Sequence, residues 1–340
     1  MAVRVGVNGF GRTGRALFRA ARRQDLGLEV VAVNDLATPP ALARLLARDS
    51  VYGRYDEPVS VDGDDMVVGD DRIAMLAEPE VKGLPWRDLG VDVVVECTGR
   101  FTARDVAALH LEAGAPRVVV SAPSKGADAT IVMGVNDDVF DPERHLVVSN
   151  ASCTTNCLVP MVKVLDDAFG VDRGYMTTVH AYTGDQRLVD SVHKDPRRAR
   201  AAAVNIVPTT TGAARSTGEV LPHLAGRLDG IALRVPVPDG SVTDLVATVR
   251  GQPSADEVRD AFRRAATSGP LVGRLEYAED GLVSSDIVGD PASCVFDAEL
   301  TMAAAHVVKV LGWYDNEWGY ANRLAELTAK VGAASRADGK

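Results

Sequence analysis

The chain is 340 residues long, with 37 Lys and Arg against 47 Asp and Glu, a formal net charge of −10. At 46% hydrophobic and 25% charged residues it is too apolar for disorder, and its acidity gives no global footprint for nucleic acid or an anionic membrane surface. Four cysteines without a CxxC pair or a Cys/His cluster at zinc spacing exclude a disulfide framework and give no metal site.

The chain opens as Met1-Ala2-Val3-Arg4-Val5-Gly6-Val7, a strand rather than a secretory signal, and no apolar run approaches the ~18 residues of a spanning helix. A reduced, soluble, cytoplasmic protein is the expectation. A length prior of about 150 residues per domain points to two domains. Val3–Val7 is a β-branched strand, followed by an amphipathic helix over Thr13–Arg23. Leu28–Val33 reads as a second strand and Pro40–Arg48 as a second helix. Val91–Cys97 is an unbroken apolar run, Ala103–Ala113 a helix, and Arg117–Val120 another strand. Continuous apolar strands separated by helices indicate a parallel sheet buried on both faces.

The texture changes near Asn150. One helix, Thr154–Ala168, precedes the strand candidates Tyr175–Ala181, Ile231–Pro236, Val242–Arg250 and Val307–Tyr314, with Ser254–Thr267 the clearest later helix. This pattern predicts an antiparallel or mixed sheet with helices on one side. Leu324–Val331 reads as part of a terminal helix.

Gly9-Phe10-Gly11-Arg12-Thr13-Gly14 is a complete G-x-G-x-x-G that follows a strand and opens a helix, the context a dinucleotide-binding turn needs. Gly9 permits the tight turn, Gly11 lets the backbone approach a pyrophosphate, and Gly14 allows close helix–strand contact. The helix N-terminus offers N–H groups and partial positive charge to the phosphates, and Arg12 can add a charged contact. Asp35, at the end of the second strand, suits the ribose 2′-OH of NAD and would repel the 2′-phosphate of NADP. The fold class expected is therefore α/β. An N-terminal Rossmann-type doubly wound parallel sheet (1–151, with a C-terminal helix at about 319–337 packing against it) is joined to an α+β catalytic domain (152–318) with an antiparallel or mixed sheet.

Ser149-Asn150-Ala151-Ser152-Cys153-Thr154-Thr155-Asn156-Cys157 lies between a strand, Leu146–Val148, and a helix. Cys153 is thus expected at a helix N-terminus, where N–H groups and the dipole stabilise a thiolate and lower the thiol pKa. Ser152 and Thr154 are hydroxyls suited to capping or anion contact. Cys157 is expected in the core, and any free cysteine has the plain alternative of a small buried hydrophobe. His180, in Val179-His180-Ala181-Tyr182-Thr183 at a strand end, is the candidate base.

These blocks carry a resemblance. The chain resembles the phosphorylating glyceraldehyde-3-phosphate dehydrogenases through Val7–Arg12, Ala151–Cys157, His180–Thr183, Pro208-Thr209-Thr210-Thr211-Gly212-Ala213-Ala214, Leu233-Arg234-Val235-Pro236 and Trp313-Tyr314-Asp315-Asn316-Glu317-Trp318-Gly319-Tyr320, spread in family order over nearly the whole chain. The resemblance implies that Cys153 attacks the aldehyde to give a thiohemiacetal, that His180 takes the proton and assists hydride departure, and that inorganic phosphate cleaves the thioester to 1,3-bisphosphoglycerate. It implies a cofactor set of Asn8, Gly9, Phe10, Gly11, Arg12, Thr13, Gly14, Asp35, Thr98, Gly99, Ser121, Asn316 and Tyr320, with Asn316 orienting the nicotinamide carboxamide. Thr183 and Arg234 resemble the site for the substrate's own phosphate; Ser152, Thr154, Thr211 and Gly212 resemble the site for attacking inorganic phosphate. Without the resemblance, Thr209–Gly212 reads as an ordinary turn.

Gln186–Ala203 resembles the loop lining a neighbouring subunit's cofactor site in the family's homotetramer. Many NAD-specific members carry Leu-Pro where this chain has Ser191-Val192, which leaves NADP use open; Asp35 and Leu36 favour NAD, and NAD is the expected cofactor. Thr13 replaces the common Ile and Arg215 the usual Lys. The basic cluster Lys194, Arg197, Arg198 and Arg200 reads as a solvated or intersubunit face rather than a nucleic-acid site. Three rivals remain: erythrose-4-phosphate dehydrogenase, which oxidises its aldehyde without phosphate, a Cys–His hydrolase without redox chemistry, and a binding protein.

Overall fold

Val3–Asn8 forms β1, and Arg12–Arg23 forms α1. They are followed by β2 (Leu28–Asn34), α2 (Pro39–Ala47), the short pair β3 (Arg48–Asp49) and β4 (Gly53–Arg54), then β5 (Val59–Asp62), β6 (Asp65–Val68) and β7 (Asp71–Leu76). β8 (Val93–Glu96), α3 (Arg104–Ala107), α4 (Leu109–Glu112), β9 (Val118–Val120), β10 (Ala129–Thr130) and β11 (Val147–Ser149) complete this part of the chain. Nine of these strands make one sheet in the order β10-β11-β9-β8-β1-β2-β7-β6-β5. From β10 to β7 every pairing is parallel; β7–β6 and β6–β5 are antiparallel. The parallel strands are Val-rich, and Val93–Val95 and Val118–Val120 are fully buried, as two covered faces require.

The strand order reverses at β1, with β2 on one side and β8 on the other. That is the switch point of a doubly wound sheet, where a crevice opens at the carboxyl ends of the strands. The antiparallel edge was not expected; it forms because Gly63 (φ +63°) and Gly69 (φ +58°) turn the chain between β5, β6 and β7. The expected Ala103–Ala113 helix is interrupted at Ala108, where Leu111 N bonds the Ala108 carbonyl in a tighter, three-residue turn.

The remaining elements are α5 (Cys153–Phe169), β12 (Val171–Ala181), β13 (Val207–Thr210), α6 (Ala213–Val220), β14 (Leu228–Val235), β15 (Ser241–Val249), α7 (Ala255–Thr267), β16 (Leu275–Ala278), β17 (Cys294–Ala304), β18 (Val307–Tyr314) and α8 (Trp318–Asp338). Seven strands form a mixed sheet in the order β13-β14-β12-β15-β18-β17-β16, with β12–β14 and β16–β17 parallel. α7 begins in a capping box: Ser254 Oγ accepts Glu257 N–H, and Glu257 Oε2 accepts Ser254 N–H at 2.8 Å. Thr209 and Thr210, read from sequence as part of a turn, instead pair with Ala232 and Ile231 in β13; the turn is confined to Thr211-Gly212.

The computed structural model describes residues 2–338. They divide into two units: the chain up to Ile131 with Asp138–Ala151 and the segment from Ala321 onward, and Val132–Asp137 with Ser152–Tyr320.

Candidate active site

In the first unit, the ends of β1, β2, β7 and β8 surround a cavity of ≈ 260 Å³ lined by Asn8, Gly9, Gly11, Asp35 and Thr98 among others. Glycine is enforced here by contact. At Gly9 (φ +94°) a Cβ would meet Thr98 N at 2.7 Å, and at Gly14 it would lie 2.2 Å from the Gly9 carbonyl oxygen. A Cβ at Gly11 would meet nothing within 4 Å, so the chain there borders open space. Gly11 is the N-cap of α1 and places no side chain of its own at the helix N-terminus, which leaves room for a pyrophosphate.

Asp35 is fixed from both sides. Its Oδ2 accepts Phe10 N–H at 2.8 Å and its Oδ1 accepts Ala37 N–H at 3.0 Å. The carboxylate faces the cavity at the end of β2, the position a ribose hydroxyl needs. Arg12 is turned to Asp49 at 3.0 Å, an ion pair between residues 37 positions apart with no local signal in the chain. Thr98 and Gly99 (φ +70°) form the turn after β8, and Ser121 N–H bonds the Glu96 carbonyl at 3.0 Å. These features fit a dinucleotide.

In the second unit, Ser152 is the N-cap of α5. Its Oγ accepts Thr155 N–H at 3.0 Å, which sets Cys153 as the first helical residue. Just upstream, Ala151 has φ +55°, a strained conformation for a residue with a Cβ. Cys153 Sγ lies 3.4 Å from His180 Nε2, so the two side chains singled out from sequence meet. β12 and β14 pair in parallel with His180 opposite Arg234. His180 Nδ1–H donates to the Ala181 carbonyl at 2.7 Å, which leaves Nε2 as the acceptor facing Cys153. Arg234 Nη1 lies 2.7 Å from Nδ1 and donates to the same carbonyl at 3.1 Å.

The electrostatics correct one expectation. The helix terminus was expected to lower the Cys153 pKa. Burial instead pushes the thiol up, and the Arg234 guanidinium and the Thr154 hydroxyl and backbone N–H only partly offset it. His180 is driven down to about 3, first by burial and then by the Arg234 charge. Burial also lowers Arg234. Each member of the pair resists charging alone, so the resting site holds a neutral thiol facing a neutral imidazole. A proton can pass between them across one contact.

Tyr314 was not singled out, although it lies within a recognised block. It is buried, its ring meets His180 edge-on with centroids 5.9 Å apart, and its hydroxyl joins Thr154 Oγ1 and Thr178 Oγ1, each at 2.8 Å. Thr178 could have been found from the two-residue strand period, which puts it on the face of β12 that carries His180. Ser241 was missed for want of any local signal: its hydroxyl donates to Asn316 Oδ1 at 2.6 Å and accepts Ala181 N–H at 3.0 Å. Tyr320 is buried in the first turn of α8.

Thr183 follows β12, its N–H bonded to Gln186 Oε1 at 3.3 Å. Thr211 and Gly212 sit at the Thr210↔Ile231 end of the β13–β14 pairing, whereas Arg234 pairs with Val207 at the other end. Three residues of strand separate the two ends by about 10 Å. No hydrogen bond joins Thr183, Thr211 or Gly212 to Cys153, His180 or Arg234 among the described residues.

Comparison with known proteins adds a separate line of support. Residues 3–104 match the family described as glyceraldehyde 3-phosphate dehydrogenase, NAD binding domain, and residues 152–316 match its C-terminal domain. The chain is 58% identical to glyceraldehyde-3-phosphate dehydrogenase 2 of Streptomyces arenae over 98% of its length and 100% of that protein. It is 56% identical to the Mycolicibacterium smegmatis glyceraldehyde-3-phosphate dehydrogenase, covering 98% and 99%, and 55% identical to that of Geobacillus stearothermophilus, covering 97% and 98%.

Proposed function

The chain belongs to the glyceraldehyde-3-phosphate dehydrogenase family, and on that premise we propose how its residues divide the reaction. It is an NAD-dependent oxidoreductase that oxidises glyceraldehyde 3-phosphate, with inorganic phosphate, to 1,3-bisphosphoglycerate. Full-length relatives bearing that name favour this reading over erythrose-4-phosphate oxidation, hydrolysis or binding alone.

Cys153 is the nucleophile and His180 the acid–base group; the 3.4 Å Sγ–Nε2 contact carries this assignment. Sγ adds to the aldehyde carbon while the thiol proton passes through His180 Nε2 to the carbonyl oxygen, giving a thiohemiacetal. The same nitrogen then takes the hydroxyl proton as the carbon is oxidised. When bound, NAD supplies the hydride acceptor, held by Gly9–Gly14, Asp35 and the Thr98-Gly99 turn, with Asn316 and Tyr320 assigned to its nicotinamide end. The acyl group stays on sulfur as a thioester until phosphate attacks. Arg234 and Thr183 hold the substrate's phosphate; Ser152, Thr154, Thr211 and Gly212 hold the attacking one. The ~10 Å of strand between the Arg234 end of the β13–β14 pairing and the Thr210 end, which Thr211 follows, supports two separate anion positions.

Residues 1–151, with the terminal helix, are assigned to the cofactor and 152–318 to catalysis. The family matches over 3–104 and 152–316 support that division. A cytoplasmic homotetramer is the assembly proposed. Supporting it, Leu188 (82% exposed), Val192 (90%) and Tyr175 (73%) leave apolar surface uncovered in the single chain. In the basic cluster Arg200 is ion-paired with Asp190 at 2.8 Å and Arg198 with Asp185, which supports a role in chain–chain packing over nucleic-acid binding.

Trapping tests the assignment of Cys153. Enzyme mixed with NAD and glyceraldehyde 3-phosphate in phosphate-free buffer is expected to carry one acyl group, mapped to Cys153 by mass spectrometry and discharged by added phosphate. An acyl group on another residue would overturn it.

A further inference from the structure

The carboxyl ends of β1, β2 and β8 enclose a buried polar network that the reaction leaves unused. Glu96, the last residue of β8, and His110 in α4 have side chains with 0% exposure. Glu96 Oε2 accepts Asn8 Nδ2–H at 2.6 Å and faces His110 Nε2 at 3.2 Å; Oε1 accepts Thr98 N–H at 2.7 Å and the Thr98 hydroxyl. On the other edge of the imidazole, the Trp86 indole N–H donates to His110 Nδ1 at 3.0 Å. An indole N–H only donates, so Nδ1 is the unprotonated nitrogen and the ring's hydrogen sits on Nε2, aimed at Glu96. Two oxygens receiving four donors suit a carboxylate, which has only acceptors to offer.

The network continues to the cavity wall. Asn8 Oδ1 accepts Asn34 Nδ2–H at 2.8 Å, and Asn34 exchanges two hydrogen bonds with the Glu78 backbone, each at 2.9 Å. Asn8, Asn34, Glu78 and Thr98 all line the ≈ 260 Å³ cavity; Glu96 and His110 lie behind them. An apolar pair would fill this space without the desolvation cost of buried polar groups. What the polar pair achieves is orientation: it fixes the Asn8 amide and ties the Thr98 turn to the end of β8. We propose that Glu96 and His110 are positioning residues for the cofactor pocket, with Trp86 selecting the His110 tautomer that donates to Glu96. The inference rests on reading that cavity as the NAD site.

Two variants test it. Glu96→Gln keeps the shape but turns an NH₂ toward the two donors now on Oε2. His110→Asn keeps an acceptor for Trp86 and removes the donor to Glu96. The Kd for NAD is measured by calorimetry on the full chain, with the rate of Cys153 alkylation by iodoacetamide in cofactor-free enzyme as a readout of the second unit. Leaving buried donors unmatched is expected to raise the Kd of Glu96→Gln roughly 5- to 100-fold. His110→Asn should raise it less, and alkylation should be unchanged in both. If Glu96→Gln does not fold, His110→Asn decides alone. An unaltered Kd, or a Kd and an alkylation rate that change together, would overturn the proposal. A wild-type protein that fails to bind NAD would instead remove the cofactor reading on which it stands.

Discussion

Arg234 Nη1 lies 2.7 Å from His180 Nδ1, on the edge of the ring opposite the nitrogen that meets Cys153. The pairing is a direct result of register: β12 and β14 run parallel with His180 and Arg234 side by side. A fixed cation against a buried imidazole keeps that ring neutral, at a pKa of about 3. The ring is therefore unprotonated throughout the physiological range, while the thiol it faces keeps its own proton until a substrate arrives.

His180→Gln removes the proton acceptor and is expected to lower kcat by roughly 10²–10⁴-fold. It also changes acid stability in a defined direction. An unfolded His takes up a proton below about pH 6.5, whereas folded His180 does so only near 3, so its contribution to stability is complete above 6.5 and is lost as pH falls toward 3. Thermal unfolding followed from pH 7 to pH 4 should show a shallower decline for the variant than for wild type. Equal slopes would mean that His180 is not neutral in the folded site.

Arg234→Leu separates recognition of the phosphate from the chemistry. Losing a charge-assisted contact of about 1.5–3 kcal/mol should cut kcat/KM for glyceraldehyde 3-phosphate roughly 10- to 150-fold. Turnover of unphosphorylated glyceraldehyde should fall far less. An equal loss for both aldehydes would assign Arg234 to the chemical step instead.

Asp35 bonds the Phe10 and Ala37 N–H groups and borders the cavity, so a 2′-phosphate would meet its charge. Two unit charges ~4 Å apart cost about 4 kcal/mol at an effective dielectric of 20, a ceiling of roughly a thousandfold. Asp35→Ser is expected to raise kcat/KM for NADP relative to NAD by roughly tenfold to that ceiling. Steady-state kinetics with both cofactors measures this; an unaltered ratio would place the discrimination elsewhere.

Asp239 is buried beside Asp315, and burial followed by that neighbour's charge pushes its pKa up to about 8. Folded Asp239 therefore keeps its proton where the unfolded chain has lost it, so this group's effect on stability worsens steadily as pH rises from about 4 to about 8, then levels off. Asp239→Asn mimics the protonated form. Its gain in Tm over wild type should be small at pH 5 and larger at pH 8; a gain independent of pH would refute the raised pKa of folded Asp239.

The parts legible in the sequence are those where chemistry dictates residue identity at fixed spacing. Gly9 and Gly14 are required by backbone contacts of 2.7 and 2.2 Å, Asp35 by its place at the end of β2, and Cys153 by the Ser152 cap. What escaped depends on tertiary packing. β5–β7 are laced with Asp62-Gly63-Asp64-Asp65 and Gly69-Asp70-Asp71, which read as loops until the strands pair. α6 is built from residues such as Ser216, Thr217 and Gly218, poor helix formers held by their surroundings. The Tyr314 link to Thr154 and Thr178 spans 160 and 136 residues. The Cys153 thiol went the other way from the local reading because the helix terminus is a local effect, and desolvation by the rest of the fold outweighs it.

NADH formation from glyceraldehyde 3-phosphate, followed with and without inorganic phosphate for wild type beside Cys153→Ser, tests the central claim most directly. The account predicts sustained turnover by wild type only when phosphate is present, a single stoichiometric burst without it, and neither from Cys153→Ser. Sustained phosphate-independent turnover, or activity surviving in Cys153→Ser, would contradict it.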